Sequence, residues 1–380
     1  MKAIIIGAGI GGLTTALALQ QRGISFEIYE AAPELRPIGA GIWLGGNAMN
    51  VYERLGMADI LKTNAVFLES VYIRDITGRL LQHVDNLEIK RLFGNGTHAI
   101  HRGTLQQILA DAVKAPIHLG KRCKAVHGNV VLFEDGSTAT GDLIIGADGI
   151  RSVVREQCVT QAQYRYSGQT CWRAIVDMTL PQAEQVSSGE VWSAKGGVRA
   201  SYSQVGPNQV YLWVTKAMPA GNKFSNEEAY AFIKKQLADF SPQTQKVAER
   251  MRPEALIHGD LYDIKPISGW YKNNVVLLGD AAHATTPNLG QGASQAIEDA
   301  YILAACLATT GSLADAFSKY QQRRMHRAQR VVKMSWFLGR ITAIQSRVGS
   351  MLRNCLIRST PHSIARKQFN FLYGVDLNVE

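Results

Sequence analysis

The feature that most constrains the fold is a strand, a glycine-rich turn, a helix and a second strand packed into the first thirty residues. Lys2–Ile6 is a short, Ile-rich run, apolar on both faces as a central parallel strand is. It leads into Gly7-Ala8-Gly9-Ile10-Gly11-Gly12, a G-x-G-x-x-G. A helical pattern follows, with Leu13, Ala16, Leu17 and Leu19 on its apolar side, and stops near Gly23. The second strand, Ser25–Tyr29, ends in Glu30. Each glycine has its own task in a dinucleotide-binding unit. Gly7 permits the tight turn, Gly9 lets the backbone approach a pyrophosphate, and Gly12 lets the helix pack close to the strand. The helix N-terminus then turns free N–H groups toward the phosphates. Glu30 is placed to hold a ribose 2′-hydroxyl, and its charge disfavours a 2′-phosphate. The unit therefore predicts tightly bound FAD or NAD, not NADP.

Two later segments decide between these. Residues 142–149 read as an apolar strand ending in Gly146-Ala147-Asp148-Gly149, with Arg151 and Ser152 after it. Val275, Val276, Leu277 and Leu278 form another buried strand that ends in Gly279-Asp280 and continues to His283. The loop Pro287-Asn288-Leu289-Gly290-Gln291-Gly292 then opens a helix near Ala293. A plain NAD-binding domain has no use for a second acid-tipped strand with its own Gly-rich helix start. An FAD has. Asp280 can accept a hydrogen bond from the ribityl chain, and the helix start from Gly290 to Ala293 can face the flavin pyrimidine, where its dipole stabilises the negative charge of reduced flavin. Asp148 has two readings, a cofactor contact or an acid that fixes its own turn. His283 reads as a structural residue at a helix start rather than a general base.

Together these motifs resemble the class A FAD-dependent flavoprotein monooxygenases, the family of para-hydroxybenzoate and salicylate hydroxylases, over about residues 1–330. Gly7 to Gly12 match the family's first fingerprint, Asp148-Gly149 its D-G motif, and Gly279-Asp280 with the 287–292 loop its G-D motif. Arg102, in His101-Arg102-Gly103-Thr104-Leu105, matches the family's FAD-contacting arginine. The resemblance thus implies cofactor contacts at Gly7, Gly9, Gly11, Gly12, Glu30, Ala31, Arg102, Asp148, Asp280, Pro287, Gly290, Gln291, Gly292 and Ala293. Within the family the chain resembles the bacterial FAD-dependent urate hydroxylases. Arg199 and Tyr211 fall where those enzymes bind substrate, on either side of a hairpin turned at Gly206-Pro207-Asn208, and Asn288 stands where they carry an Asp. The resemblance therefore implies active-site roles for Arg199, Tyr211 and Asn288, while Asn288 speaks against urate itself.

The activity implied is hydroxylation of a planar aromatic or heteroaromatic small molecule through a flavin C4a-hydroperoxide. NADH or NADPH would be a transient co-substrate, since no second G-x-G-x-x-G is present, and O2 the oxidant. The rivals are a flavin reductase or saturase on the same fold and, from another class, a non-catalytic FAD-binding partner protein. A halogenase is disfavoured because no Trp-x-Trp-x-Ile-Pro occurs.

The expected fold class is α/β: a Rossmann-like FAD-binding domain, a mixed or antiparallel β-sheet substrate domain and a helical C-terminal extension. The expected boundaries are 1–67, 98–160 and 266–315 for FAD, 68–97 and 161–265 for substrate, and 316–380 for the extension. Period-2 stretches between about residues 164 and 264 read as strands, and residues 225–239 as a covering helix with Ser225 at its N-cap. Arg173 in this sheet reads either as a flavin or substrate contact or as a surface or interdomain ion pair. Trp43, in a loop expected from Gly39 to Gly46, reads as packing or as a flavin contact.

Charge is uneven along the chain. After Asp315 there are twelve basic residues and two acids, whereas the residues up to Asp315 hold 29 of each. A neutral body with a basic tail argues against a nucleic-acid-binding function. The tail's basic residues fall at helical spacing, and Trp336, Phe337, Ile341, Ile344, Val348 and Leu352 continue an apolar stripe. The expectation is helices packed on the FAD domain with their charges in solvent; a membrane-surface or partner-binding helix is the alternative. Five scattered cysteines without a C-x-x-C read as reduced thiols in a cytoplasmic protein, with no metal site indicated, and no disulfide reductase. The glycines at 7, 9, 11 and 12 exclude a signal peptide reading of the N-terminus. The assembly expected is a monomer or homodimer.

Overall fold

The computed structural model describes residues 1–35, 40–194 and 196–378. Lys2–Ile6, Ser25–Tyr29, Leu143–Gly146 and Val275–Leu277 form the strands that the sequence pattern indicates. Lys2–Ile6 pairs in parallel with Ser25–Tyr29 on one side and Leu143–Gly146 on the other, and the latter pairs in parallel with Val275–Leu277. The short strands Ile117–His118 and Tyr271–Lys272 close the two edges of this six-stranded sheet. Register aligns Ile6 with Gly146 and Gly146 with Leu277. Three Gly-rich turns, at Gly7, Ala147 and Gly279, therefore leave the sheet side by side at its carboxyl edge. In an open parallel sheet that edge is where ligands bind.

The second sheet has seven strands, built from Tyr164–Asp177, Ser187–Trp192, Val198–Gly206, Gln209–Ala217 and Ile257–Ile264 with Ser70–Asp75 and Leu80–Asp85. Its pairings are antiparallel except that Ser187–Trp192 runs parallel to Ser70–Asp75. The Val198–Gly206 and Gln209–Ala217 hairpin turns through Pro207 and Asn208, the latter at φ 53°. One face of this sheet is apolar. Trp172, Ala174, Val176, Ala200, Leu212 and Val214 pack there against Ala229, Ile233 and Val247 of two covering helices. The Asn226–Gln236 helix has the capping box expected at its start, Ser225 receiving Glu228 N–H while the Glu228 carboxylate receives Ser225 N–H. The opposite face is polar and yet buried. Arg199, Ser201, Ser203 and Thr215 are all nearly inaccessible there.

The tail departs from expectation. Its first helix begins at Leu313, capped by Ser312, and runs to Thr342. Phe317 and Tyr320 are part of the core beneath the six-stranded sheet, and the Tyr320 hydroxyl donates to the Leu277 carbonyl at 3.0 Å. Its charges are only partly in solvent. Arg324 is buried and pairs with Glu298 and with Asp299 (Nε to Oδ1, 2.7 Å), while Arg327 Nε reaches Glu298 at 2.8 Å. Both acids lie on the Gly292–Thr309 helix, so a basic tail answers acids that composition alone assigned to a neutral body. Two shorter helices follow, Arg347–Arg358 and His362–Tyr373. No helix among the described residues is long and apolar enough to cross a membrane.

Burial alone would raise the Asp299 carboxyl, but His283 and Arg324 outweigh it and hold it at about 2. A carboxyl depressed below its ordinary value of about 3.9 contributes stability that is complete above that pH and lost as pH falls toward the folded-state value. Acid titration should therefore erode stability from this pair between about pH 4 and about pH 2. Arg324→Met should cost about 3–5 kcal/mol at neutral pH, since it takes the guanidinium from buried Asp299 and leaves Glu298 with Arg327 alone. Chemical denaturation at pH 7 and pH 4 checks this: the deficit should shrink at the lower pH as the carboxyls protonate.

Candidate functional site

At the carboxyl edge the three N-terminal glycines separate by what surrounds them. Gly7 sits at φ +106°, and a Cβ there would lie 2.4 Å from the Ala147 carbonyl oxygen. A Cβ on Gly12 would lie 1.9 Å from the Gly7 carbonyl oxygen. Around Gly9 a Cβ would meet nothing within 4 Å. Two glycines thus allow backbone to touch backbone, and the third faces open space in front of a helix. That helix, Ile10–Gln21, has no side-chain cap on its first N–H groups. Glu30 closes the turn from the neighbouring strand, with Oε2 accepting from Ala8 N–H at 2.7 Å and Oε1 from Ala32 N–H at 2.9 Å. Gln106, a residue with no sequence signature, donates to the Ala8 carbonyl at 2.8 Å and pins the turn from the helix that Arg102 begins.

Gly279 adopts φ +57° and turns Asp280 into the same cleft. Asp280 is open to solvent although protein encloses it on most sides. This partial dehydration raises its carboxyl above the ordinary range, against the pull of His283 and Arg102. The Gly292–Thr309 helix also starts without a side-chain cap, after Gly290 in left-handed conformation. Its first turns lie against the Gly9 turn, since a Cβ on Gly11 would sit 3.3 Å from Ala296 Cβ. Two uncapped helix starts and an accessible acid therefore share one cleft. Ser294 Oγ and Asn47 Oδ1, both buried, lack a hydrogen-bond partner beside it. A long molecule with a diphosphate at one end and a hydrogen-bonding ring at the other fits this set, and FAD is such a molecule.

Other residues singled out in the sequence bond to the protein itself, as read for His283 and in one of the two readings of Asp148. The Asp148 carboxylate accepts from Ser152 Oγ at 2.5 Å and Val154 N–H at 3.1 Å, so it fixes its own turn. His283 is buried and donates Nε2–H to Asp299 Oδ2 at 2.5 Å, which makes it structural. Asp299 Oδ2 also receives Gly279 N–H at 3.0 Å, linking the tail's arginine to the turn that presents Asp280. The Gln291 side chain turns away from the helix start to accept from Asn47 Nδ2 at 3.1 Å. Trp43 lies on a strand, Gly41–Leu44, not in a loop, and its indole donates to Ser203 Oγ at 3.2 Å; Gly39 is outside the described residues.

The buried polar face of the large sheet meets this cleft. Arg199 and Tyr211 share that face, four positions apart in register and so about 13 Å along the strands. The Tyr211 ring lies flat on the backbone of Gly41, where a Cβ would fall 2.4 Å from it. Arg199 donates Nε to Thr215 Oγ1 at 3.1 Å, Nη1 to Glu190 Oε1 at 3.0 Å and Nη2 to Asn288 Oδ1 at 2.6 Å. Asn288 in turn donates to Thr286 Oγ1 at 2.9 Å and to the Ser335 carbonyl at 3.2 Å. The sheet and the loop before the second helix start are thus tied through one guanidinium. Arg173 is on the same face with its Nε buried and unpartnered, as are both amide atoms of Gln169. Sequence reasoning missed Glu190 and also Arg353, which reaches in from the Arg347–Arg358 helix to lie 4.9 Å over the Trp192 ring.

Comparison with known proteins follows the same lines. A family model described as FAD binding domain matches residues 1–335. The chain is 34% identical to the FAD-dependent urate hydroxylase of Klebsiella pneumoniae, covering 87% of this chain and 88% of that one. It is 33% identical to the 2-heptyl-3-hydroxy-4(1H)-quinolone synthase of Pseudomonas aeruginosa, covering 98% of each. The crystal structure of Klebsiella pneumoniae HpxO with FAD and uric acid superposes with a TM-score of 0.89 at 29% identity, over 100% of this chain and 98% of that one.

The glycine geometry makes two substitutions diverge. Gly9→Ala should fold with an unchanged melting temperature, because its methyl meets no protein atom, yet weaken FAD binding by about tenfold or more. Gly12→Ala should fail to reach the native fold, its methyl colliding with the Gly7 carbonyl. Thermal melts of the two variants, with flavin titration of any folded protein, separate the outcomes.

Proposed function

The chain belongs to the FAD-binding-domain family of class A flavoprotein monooxygenases, and we propose that it hydroxylates a planar heteroaromatic small molecule held between the polar face of its large sheet and the flavin end of the cleft. The observation that carries this reading is the 2.6 Å contact from Arg199 to Asn288, which places the buried polar face directly against the loop that opens the Gly292–Thr309 helix. The relatives' names point the same way, one to urate and one to a quinolone, both planar rings bearing carbonyl groups.

On this reading residues 1–67, 98–160 and 266–315 carry the cofactor, and 68–97 with 161–265 supply the substrate wall. Bound FAD, reduced by NADH or NADPH, supplies the activation of O2, of which one atom enters the product and the other leaves as water. The protein's own residues position, exclude water and supply fixed dipoles. Gly9 leaves room for a pyrophosphate at the first helix start, and Glu30, held by the Ala8 and Ala32 N–H groups, would hold the ribose. Asp280 and Arg102 would hold the ribityl segment. The free N–H groups of Gly292 and Ala293 would hold the pyrimidine end of the flavin, whose reduction would place negative charge near that helix start. Arg199 offers its remaining N–H groups to a substrate carbonyl or ring anion, with Glu190 and Asn288 fixing the plane of its fork. Tyr211 forms a flat side wall. Its phenol is pushed above its ordinary value by burial, so it stays protonated and serves as a hydrogen-bonding group, not a base.

The decisive experiment uses the yellow protein with NADH or NADPH under labelled dioxygen, screened across purines and quinolones. Substrate should stimulate nicotinamide oxidation, and the product should carry one labelled oxygen. Label arriving only from water, or anaerobic turnover to a product without added oxygen, would overturn the assignment. Arg199→Met should lower kcat/KM at least about tenfold, mainly through KM, with FAD retained.

A further inference from the structure

The Arg347–Arg358 helix is built inside out. On a turn of 3.6 residues, Val348, Met351, Leu352, Cys355 and Leu356 share one face and Ser350, Arg353 and Ile357 the other. An ordinary surface helix turns its apolar stripe to the core. Here Ser350 and Arg353 are buried, while Val348, Met351, Leu352 and Leu356 are 62–73% exposed. Phe337 on the preceding helix and Ile364 on the following one are also more than half exposed. Scattered apolar side chains on a surface need no explanation, but a contiguous helical face of them does.

We propose that this face docks on the surface of an anionic lipid bilayer. The charge around it selects the occupant. No Asp or Glu occurs between Asp315 and Asp376. Arg340, Arg347, Arg358, Arg366 and Lys367 are exposed on the same three helices, and Arg347 and Arg358 flank the apolar face on one side. A second copy of the chain would bring two such cationic surfaces together and repel itself. A bilayer bearing phosphatidylglycerol matches both parts, its headgroups taking the guanidinium groups and its acyl boundary the apolar face. Because Arg353 on the inner side of this helix reaches Trp192, docking sets the rim of the proposed substrate site against the lipid. The docking itself does not depend on the chemistry proposed for that site.

The test is flotation of the FAD-loaded full chain with phosphatidylcholine vesicles, with and without one-quarter phosphatidylglycerol. The protein should float with the anionic vesicles, stay behind with phosphatidylcholine alone, and be released by salt. Leu352→Glu with Leu356→Glu should abolish flotation while leaving flavin absorbance and melting temperature unchanged. Arg347→Gln with Arg358→Gln should weaken it about 25-fold, at roughly fivefold per lost cation. Absence of flotation with anionic vesicles overturns the proposal. So does flotation that survives the two glutamates, or a wild-type dimer in solution that those glutamates convert to monomer.

Discussion

Glu298 and Asp299 are adjacent carboxylates with no access to solvent, on the helix that runs behind the flavin-facing turn. Removing such groups from water costs several kcal/mol each, so neither can stay ionised there unaided. Arg324 and Arg327 supply the compensating charge from the tail, and Asn47, Gln295, His283 and the Gly279 N–H donate as well. Through these bonds one acid pair fixes three things. It orients the Gly279 turn that presents Asp280, it holds the Gly46–Arg54 helix against the start of the Gly292–Thr309 helix, and it binds the tail to the body. The cleft keeps its shape because a buried charge balance would otherwise be broken.

Much of the cofactor side was legible in the sequence because its determinants are local. A strand, its turn and the first turn of its helix are consecutive residues, and glycine is the one residue that tolerates contacts as close as 1.9 Å from a would-be Cβ. Strand bounds for Lys2–Ile6 and Ser25–Tyr29, and the capped helix after Ser225, follow from such neighbours. What escaped depends on residues far apart in the chain. Glu298 and Arg324 lie 26 positions apart on different helices, and a charge count sorted them into separate regions with opposite descriptions. Glu190 and Asn288 meet at Arg199 from three segments, and alternation within a strand could not tell whether its polar face looked at water or at another sheet. Asp148 was open to two readings in the sequence, and only the folded turn shows its carboxylate bonded to Ser152 and Val154.

The large sheet shows how one layer can serve two solvents. Its apolar face is sealed by helices, and its polar face is sealed by the body, so polar groups there must find partners in protein or in a ligand. Arg199 has found three. Gln169 and Arg173 retain buried atoms without one. A surface with fixed donors and a few unmet valences, with Trp213 and Tyr211 on the same face as Arg199 and Trp43 bonded to its Ser203, is shaped for flat, polar rings more than for flexible chains.

The order of the six-stranded sheet also says something about how the protein comes into being. Leu143–Gly146 stands between Lys2–Ile6 and Val275–Leu277, and the Leu277 carbonyl is bonded by Tyr320. The Gly7 turn cannot be backed by its full sheet until Val275–Leu277, far along the chain, has joined it. Contacts this distant slow folding, since loop closure precedes any reward from pairing. The glycine turn is thus complete as a binding site only after strands far along the chain have paired with its own, late in folding rather than early.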